Sequence, residues 1–197
     1  MFALVQDNTI TKTLNGNRGI TIGDVQYPQN IFTLWSAAEK EAIGIYEVVF
    51  DNTNKKDEKY YNNTNQTFAF ADGVVTASYG SATANALADV NATDEDGVEL
   101  DPVVVIKGLK TKHKEIIKQQ ASGLLTNYDW YVIRKADAGT AVPSAVTTYR
   151  AAVRTKSNEM EVLIDACSTV DELAALYAYN DDNPPTRPLG EFPTLEI

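Results

Sequence analysis

The side chains that most often carry acid–base or nucleophilic chemistry are scarce in this sequence, which contains one histidine and one cysteine. His113 stands in a helical pattern among several lysines, where a packed or surface histidine is much commoner than a catalytic base. Cys167 ends an apolar helical stretch, and no second histidine could activate its thiol, so it is typical of a small buried hydrophobe. These residues predict no catalytic site, and we expect a protein that is not an enzyme.

Two loop sequences are similar to ligand-binding loops without completing the pattern. Asp94-Glu95-Asp96-Gly97 is acidic like a calcium loop. With Gly97 at the sixth position, however, the first and twelfth positions are Ala92 and Val103, which have no carboxylate. The run 15–19, Asn-Gly-Asn-Arg-Gly, lacks the Gly-Lys-Ser/Thr ending of a phosphate-binding loop. Cysteine and histidine show no zinc-ligand spacing either. We therefore expect no metal and no cofactor.

Charge is distributed unevenly along the chain, whose net charge is −10. Residues 1–100 contain six Lys and Arg against fourteen Asp and Glu, a balance of −8, whereas residues 105–156 contain ten against three, a balance of +7. The overall negative charge disfavours non-specific binding to nucleic acid, which depends on neutralising phosphates. The basic middle could face an acidic partner or a second copy of the chain, although such runs are most often solvated faces. We expect no nucleic-acid partner.

Membrane association is not expected, because no apolar run approaches the roughly 18–20 residues that span a bilayer. The first residues lack the basic start of a secretion signal. A single cysteine cannot form a disulfide within the chain, which fits a reducing compartment. These features together predict a cytosolic protein.

The first 84 residues have the pattern of a small α+β domain made mostly of hairpins. Strand-like segments flank Asp7-Asn8, and others flank Asp72-Gly73, which predicts two tight hairpins. Ser36-Ala37-Ala38-Glu39 has the capping-box pattern and predicts a short helix that Gly44 should end. The segment 45–50 is β-branched and aromatic and predicts another strand.

The rest of the chain divides by composition into three parts. Residues 85–102 hold six acids among small residues and predict an acidic linker. Residues 103–180 have apolar side chains at helical spacing and predict a C-terminal domain built on a helical hairpin. The proline-rich residues 181–197 predict an extended tail. The expected fold class is therefore α+β.

Three helices are expected within the C-terminal domain. The first follows an apolar stripe that recurs every three or four residues from Ile106 to Leu124. The second should begin near Pro143, because proline suits the first turn of a helix. The third should be capped by Ser168 or Thr169, with Glu172 following.

The most informative stretch runs from Leu124-Leu125-Thr126-Asn127-Tyr128-Asp129-Trp130 through Val142-Pro143 to Tyr149-Arg150-Ala151-Ala152-Val153-Arg154. This succession resembles the C-terminal region of phage tail assembly chaperones and tail-fibre assembly proteins, over residues 105–165. Those proteins usually have Thr where Tyr128 stands and Leu where Val153 stands. The resemblance singles out a partner-binding or structural motif: Leu125, Asp129, Trp130, Pro143, Tyr149, Arg150 and Arg154.

The resemblance implies an assembly function in the host cytoplasm. A protein of this kind would bind a tail-fibre or other tail protein and promote its folding, trimerisation or attachment, and it could also form a homo-oligomer. The alternative is a permanent virion component, such as a fibre-bound cap or a baseplate or tail connector. In that case the protein would remain in the virion tail.

Physical chemistry offers a structural role for the same motif. Arg150 and Arg154 lie one helical turn apart and share a face, and Asp129 could accept a bidentate bond from one of them. Trp130 would supply a large apolar plate that holds two helices together. The other hypothesis is that these side chains contact the fibre directly, and the sequence leaves both open.

Overall fold

In the computed structural model, which describes residues 1–195, strands account for 24% and helices for 34% of the chain. A curled sheet occupies the N-terminal part and most helical residues lie in the C-terminal part, which confirms the α+β class. The chain divides into two compact units, the first from Met1 to Thr83 and the second from Ala84 onward. Within the described part of the chain, no helix combines the length and apolarity needed to cross a membrane.

The first unit is built around one mixed sheet. Its elements, in chain order, are β1 (Phe2–Gln6), β2 (Thr9–Leu14), β3 (Ile20–Ile22), β4 (Val25–Tyr27), α1 (Ile31–Leu34), α2 (Ala37–Glu41), β5 (Ile45–Asp51), β6 (Tyr61–Asn62), β7 (Gln66–Ala71), β8 (Val74–Tyr79) and β9 (Thr83–Ala84). The main sheet has the order β2-β1-β5-β8-β7. Its neighbours are antiparallel except for β5 and β8, which run parallel.

Both predicted hairpins are confirmed by the pairing of β1 with β2 and of β7 with β8. Asp7 and Asn8 have φ angles of 50° and 60°, and Asp72 and Gly73 have φ angles of 50° and 77°. Positive φ at both turn residues matches the right-handed twist of the flanking strands. Asn, Asp and Gly are the residues that tolerate this conformation, so the local sequence specifies both turns.

The predicted short helix is also confirmed, as α2. The backbone N–H of Ser36 donates to the Glu39 carboxylate at 2.8 Å, and the N–H of Glu39 donates to the Ser36 hydroxyl at 3.3 Å. The first of these bonds, with help from the Ser36 hydroxyl, lowers the pKa of Glu39. Gly44, at φ 81°, then turns the chain into β5.

The main sheet is covered on both faces. Ala3 and Val5 of β1 pack with residues of β5 and β8 on one face. Leu4, between them, packs with Ile31 and Ile45 on the other. Alternate residues of a strand point to opposite faces, so β1 is buried on both sides and its residues 3–5 are all apolar.

The second unit contains β10 (Val90–Asn91), β11 (Val105–Ile106), α3 (Leu109–Thr126), α4 (Asp129–Ala138), α5 (Ser144–Ala166) and α6 (Val170–Ala175). The stretch predicted as an acidic linker contributes β10, which pairs antiparallel with β11. The Asp89 carboxylate accepts a bond from the N–H of Gly108 at 2.8 Å, and this bond lowers the pKa of Asp89. This stretch therefore anchors the start of α3.

Helices α3 and α5 pack antiparallel. Lys114 lies 2.7 Å from Asp165, and Lys118 lies 3.1 Å from Glu161, so numbers rise along one helix as they fall along the other. The fully buried residues of α5 recur at helical spacing: Val153, Met160 and Ile164. On α3 the buried residues are Leu109, Ile117 and Ala121. Ile106, predicted at the head of this stripe, lies in β11 and is exposed.

The segment after α3 differs from the sequence-based prediction. A corner and a loop were expected between the first two helices, but residues 129–138 form the additional helix α4. Gly139, at φ 69°, ends it in the left-handed conformation typical of a helix C-terminus. The predicted third helix is α6, where Thr169 and Glu172 form a capping box.

The proline-rich segment is held against the second unit over its described part, residues 181–195. Leu189 is fully buried, and its N–H donates to the carbonyl of Leu176 at 3.0 Å. Phe192 and Leu195 pack against the cluster of α3 and α5 residues around Tyr149. Residues 196 and 197 of the predicted tail lie outside the described residues.

Candidate interaction site at the helical corner

The predicted motif is divided among three helices. We call the end of α3, the whole of α4 and residues 143–154 the helical corner. Leu125 lies in the last turn of α3, Asp129 and Trp130 begin α4, Pro143 precedes α5, and Tyr149, Arg150 and Arg154 lie on α5. The structure brings Leu125, Asp129 and Arg150 into direct contact.

Arg150 connects all three helices. One guanidinium nitrogen lies 2.8 Å from the Asp129 carboxylate, and another donates to the backbone carbonyl of Leu125 at 2.7 Å. The predicted ion pair between Asp129 and Arg150 is therefore present. The carbonyls of the last helical turn have no partner within their own helix. A positive charge there also interacts favourably with the negative end of the helix dipole. Arg150 therefore closes α3 and fixes the start of α4.

Replacing Arg150 with alanine should lower the free energy of unfolding by about 1.5–3 kcal/mol, the usual effect of losing a hydrogen bond to a charged group. Its side chain is only 11% exposed, so water would not replace the bond to Leu125 freely. Arg154 provides the matched control, because it is exposed and its one hydrogen bond within residues 1–195 is to the carbonyl of Arg150, at 3.3 Å. Arg154→Ala should cost about 0–1 kcal/mol. Urea denaturation measures the free energy of unfolding of both variants. Losses of equal size would contradict the role given to Arg150.

Tyr149 is the buried aromatic residue of the helical corner. Its side chain is 7% exposed, and its ring meets the ring of Tyr128 edge-on, with 5.3 Å between centroids. Ala121 and Val153 complete the cluster. Burial raises the pKa of the Tyr149 hydroxyl. Tyr149 is therefore the large buried side chain between the helices, a role that the sequence predicts for Trp130.

The prediction that Trp130 is a buried plate is wrong. Its side chain is 48% exposed and stacks on Tyr131, with 3.7 Å between ring centroids. The guanidinium of Arg134 lies 4.8 Å from the same ring. Successive residues of a helix point about 100° apart. Because Asp129 faces Arg150, the next side chain on α4 is directed elsewhere.

Helix α4 has no buried residue, although its sequence is rich in large apolar side chains. Trp130, Val132 and Ile133 are all exposed, and Ile133 is 67% exposed. We call Trp130 and Ile133 the α4 face, because Val132, two positions after Trp130, lies on the opposite side of the helix. Trp130 and Ile133 are three residues apart, so they are neighbours on the helix surface. The sequence analysis did not single out Val132 and Ile133. The signal that could have found them is the apolar run Tyr131-Val132-Ile133, which stands a few residues before Gly139.

A groove of about 530 Å³ lies along α3 and α5 beside the start of α4. Asp129, Arg150 and Arg154 line it. The remaining lining residues are mostly polar or small: Lys118, Ala121, Ser122, Leu125, Thr126, Ser157, Asn158 and Glu161. Arg154 contributes a guanidinium that no carboxylate neutralises among the described residues. The groove could therefore hold an extended polar segment of a partner.

The basic helix singled out by the charge pattern is largely paired within the second unit. Lys114 and Lys118 form ion pairs across to α5, and Lys107 pairs with Glu115. Lys110 donates to the backbone carbonyl of Asp165 at 2.8 Å. Hydrogen bonding to Asp165 raises the pKa of Lys114. These lysines lie against acids of the same chain, and the absence of a nucleic-acid partner stays a prediction.

The residues considered for catalysis lie apart from the helical corner. The His113 ring packs against the ring of Tyr177, with 4.8 Å between centroids. Cys167 is buried, and burial raises the pKa of its thiol, which disfavours the nucleophilic thiolate. In the part of the chain that the structure describes, no three His, Cys, Asp or Glu side chains could jointly hold a metal ion.

Comparison with known proteins adds no relative to this description. No family model matches the chain, and neither a curated protein nor a solved structure is significantly similar to it. The resemblance to phage tail-fibre assembly proteins thus rests on the motif residues alone and stays a prediction.

Proposed function

We propose that this chain is a phage tail-fibre assembly chaperone that binds a tail-fibre or other tail protein through the α4 face and the groove beside it. The observation that carries the proposal is that α4 buries none of its residues while Trp130, Val132 and Ile133 lie in solvent. A short helix depends on tertiary packing for most of its stability. A partner that covers the α4 face would supply such packing.

The chemistry of the α4 face suits protein recognition. Trp and Arg are the residues that most often dominate the binding energy of protein interfaces. Trp130, Tyr131 and Arg134 already stack on one another, so they would lose little conformational freedom on binding. Arg150 holds the start of α4 in place. The face is therefore preorganised.

A β-rich fibre subunit before trimerisation is the client that such a face fits. Long-range strand pairing forms slowly, and incomplete subunits expose apolar surface and unpaired strand edges. The α4 face would cover the apolar surface, while Arg154 and the polar side chains of the groove would bind the adjoining polar segment. Trimerisation would bury the same client surface and displace the chaperone. This function needs no catalysis and would be performed in the host cytoplasm.

Co-expression with a candidate tail-fibre protein tests the proposal. Ile133→Asp places a charge on the α4 face and should reduce soluble trimeric fibre at least tenfold. Val162→Asp is the matched control, because Val162 is also a β-branched helix residue and is 68% exposed, against 67% for Ile133. We expect this control to leave the fibre yield unchanged. Neither surface substitution should alter the melting temperature by more than a few degrees.

Two results would contradict the proposal. Fibre yield that does not depend on this protein would exclude a chaperone, and equal effects of the two substitutions would exclude the α4 face. Mass spectrometry of purified virions then separates the two forms of the function. Absence from the virion supports a transient chaperone, whereas a fixed copy number supports the permanent component.

A further inference from the structure

A second concave surface lies in the first unit and involves none of the residues considered so far for partner binding. It is a pocket of about 410 Å³ lined by Phe32 and by residues 12–21, which run from the end of β2 through the connecting loop into β3. This volume falls within the range of about 300–1,000 Å³ that small-molecule sites occupy. Phe32 and Ile20 are both buried and provide its apolar lining.

Two cations line this pocket without a counter-charge. Lys12 and Arg18 are among its lining residues, and none of the described lining residues is an acid. Neither cation belongs to any ion pair within residues 1–195. The basic residues of α3 and the segment before it behave differently, since Lys107, Lys114 and Lys118 each contact a carboxylate. Because this positive charge is not compensated within the pocket, it favours an anionic ligand.

The pocket also offers neutral hydrogen-bonding groups. Thr13, Asn15, Asn17 and Thr21 line it. Over the described residues, none of these four side chains makes a hydrogen bond to the protein, although other threonines such as Thr11 do. Hydroxyls and amides that are not used within the fold can serve the hydroxyl groups of a ligand.

Two glycines fix the shape of the wall. Gly16 has φ 69°, and a β-carbon there would lie 3.0 Å from the Phe2 ring. A β-carbon on Gly19 would lie 2.5 Å from the carbonyl oxygen of Tyr27. The loop thus packs closely against Phe2 and Tyr27, and its polar groups are held on a defined backbone. Such preorganisation lowers the entropic cost of binding.

We propose that this pocket binds a small polyol carrying a phosphate or carboxylate group, such as a sugar phosphate or an acidic sugar. Lys12 and Arg18 bind the oxyanion, because charge-assisted bonds to Arg and Lys are the strong contacts that such groups form. The amides and hydroxyls of the wall bind the hydroxyl groups of the ligand. The pocket lies within the first unit, so this inference is independent of the α4 face.

Isothermal titration calorimetry of the full chain tests this inference, with glucose 6-phosphate, glucuronate and glucose as probes. We expect saturable binding of at least one charged sugar and at least tenfold weaker binding of glucose. The tighter of the two charged probes identifies the oxyanion as phosphate or carboxylate. Arg18→Gln and Lys12→Gln should each weaken binding of that probe at least tenfold, and both positions are exposed, so folding is retained.

Lys112→Gln is the matched control, because Lys112 is exposed and its replacement removes the same charge from the second unit. Unchanged binding by this variant supports the assignment to the pocket. Equal weakening by Lys112→Gln and Arg18→Gln would show an effect of bulk charge and overturn the proposal. Binding of glucose as tight as that of the charged sugars, or no binding of any probe, would overturn it as well.

Discussion

Tyr149→Ala is expected to lower the free energy of unfolding by about 3–5 kcal/mol, the usual loss when a buried aromatic side chain is truncated. The ring is almost completely enclosed between α3 and α5, where it contacts Tyr128 and packs beside Ala121 and Val153. Small domains are stable by only about 5–15 kcal/mol, so the second unit would become marginal. Urea denaturation followed by far-ultraviolet circular dichroism measures the shift in midpoint.

Trp130→Ala is the informative comparison for Tyr149→Ala. Trp130 is larger, but about half of its surface is already in water, and its ring contacts Tyr131 and Arg134 of its own helix. Its truncation should change the free energy of unfolding by about 1 kcal/mol or less, as is usual for surface residues. A loss as large as that of Tyr149→Ala would show that Trp130 supports the core, and would remove the main argument for the α4 face as a binding surface.

Gly44→Ala should lower the free energy of unfolding by roughly 2–6 kcal/mol, from two separate causes. A residue with a side chain at φ 81° adopts a strained conformation, at about 1–3 kcal/mol. In addition, the new β-carbon would lie 2.5 Å from the carbonyl oxygen of Val5, and overpacking costs about 1–3 kcal/mol more. The N–H of Val5 donates to the carbonyl of Gly44 at 2.8 Å, so the backbone segments at Val5 and Gly44 cannot move apart without losing this hydrogen bond.

Gly73→Ala separates the two causes. Gly73 has φ 77°, close to that of Gly44, but a β-carbon there would meet nothing within 4 Å. Gly73→Ala should therefore lower the free energy of unfolding only by the cost of the strained backbone conformation, about 1–3 kcal/mol. The same denaturation experiment measures both variants. Losses of equal size would mean that the backbone at Val5 relaxes and that the close approach is not a constraint.

The parts of the fold that the sequence predicted are those specified by a few neighbouring residues. The Asp72-Gly73 turn and the Ser36–Glu39 capping box each depend on side chains within four positions of one another. The parallel pairing of β5 with β8 could not be predicted in this way. It joins Val48 to Val75, and no local pattern records which distant strand will be the neighbour.

The candidate site was predicted where opposite charges decide the contact and missed where helix geometry decides it. Asp129 and Arg150 pair as their charges require. The position of Trp130 depends on whether residue 129 begins a helix or ends a corner, and the sequence pattern predicts the corner. Leu125 contributes its backbone carbonyl to Arg150, and a backbone group has no signature in the residue type.

The packing of Phe192 and Leu195 against the cluster around Tyr149 has a consequence for the order of events during synthesis. These residues cover a cluster formed by α3 and α5, and α3 begins at Leu109. The ribosome therefore synthesises most of the second unit before the segment that covers this cluster. Until that piece emerges, the cluster around Tyr149 stays open to water on one side. The second unit therefore completes its fold after translation of this segment, whereas the first unit has all of its strands much earlier.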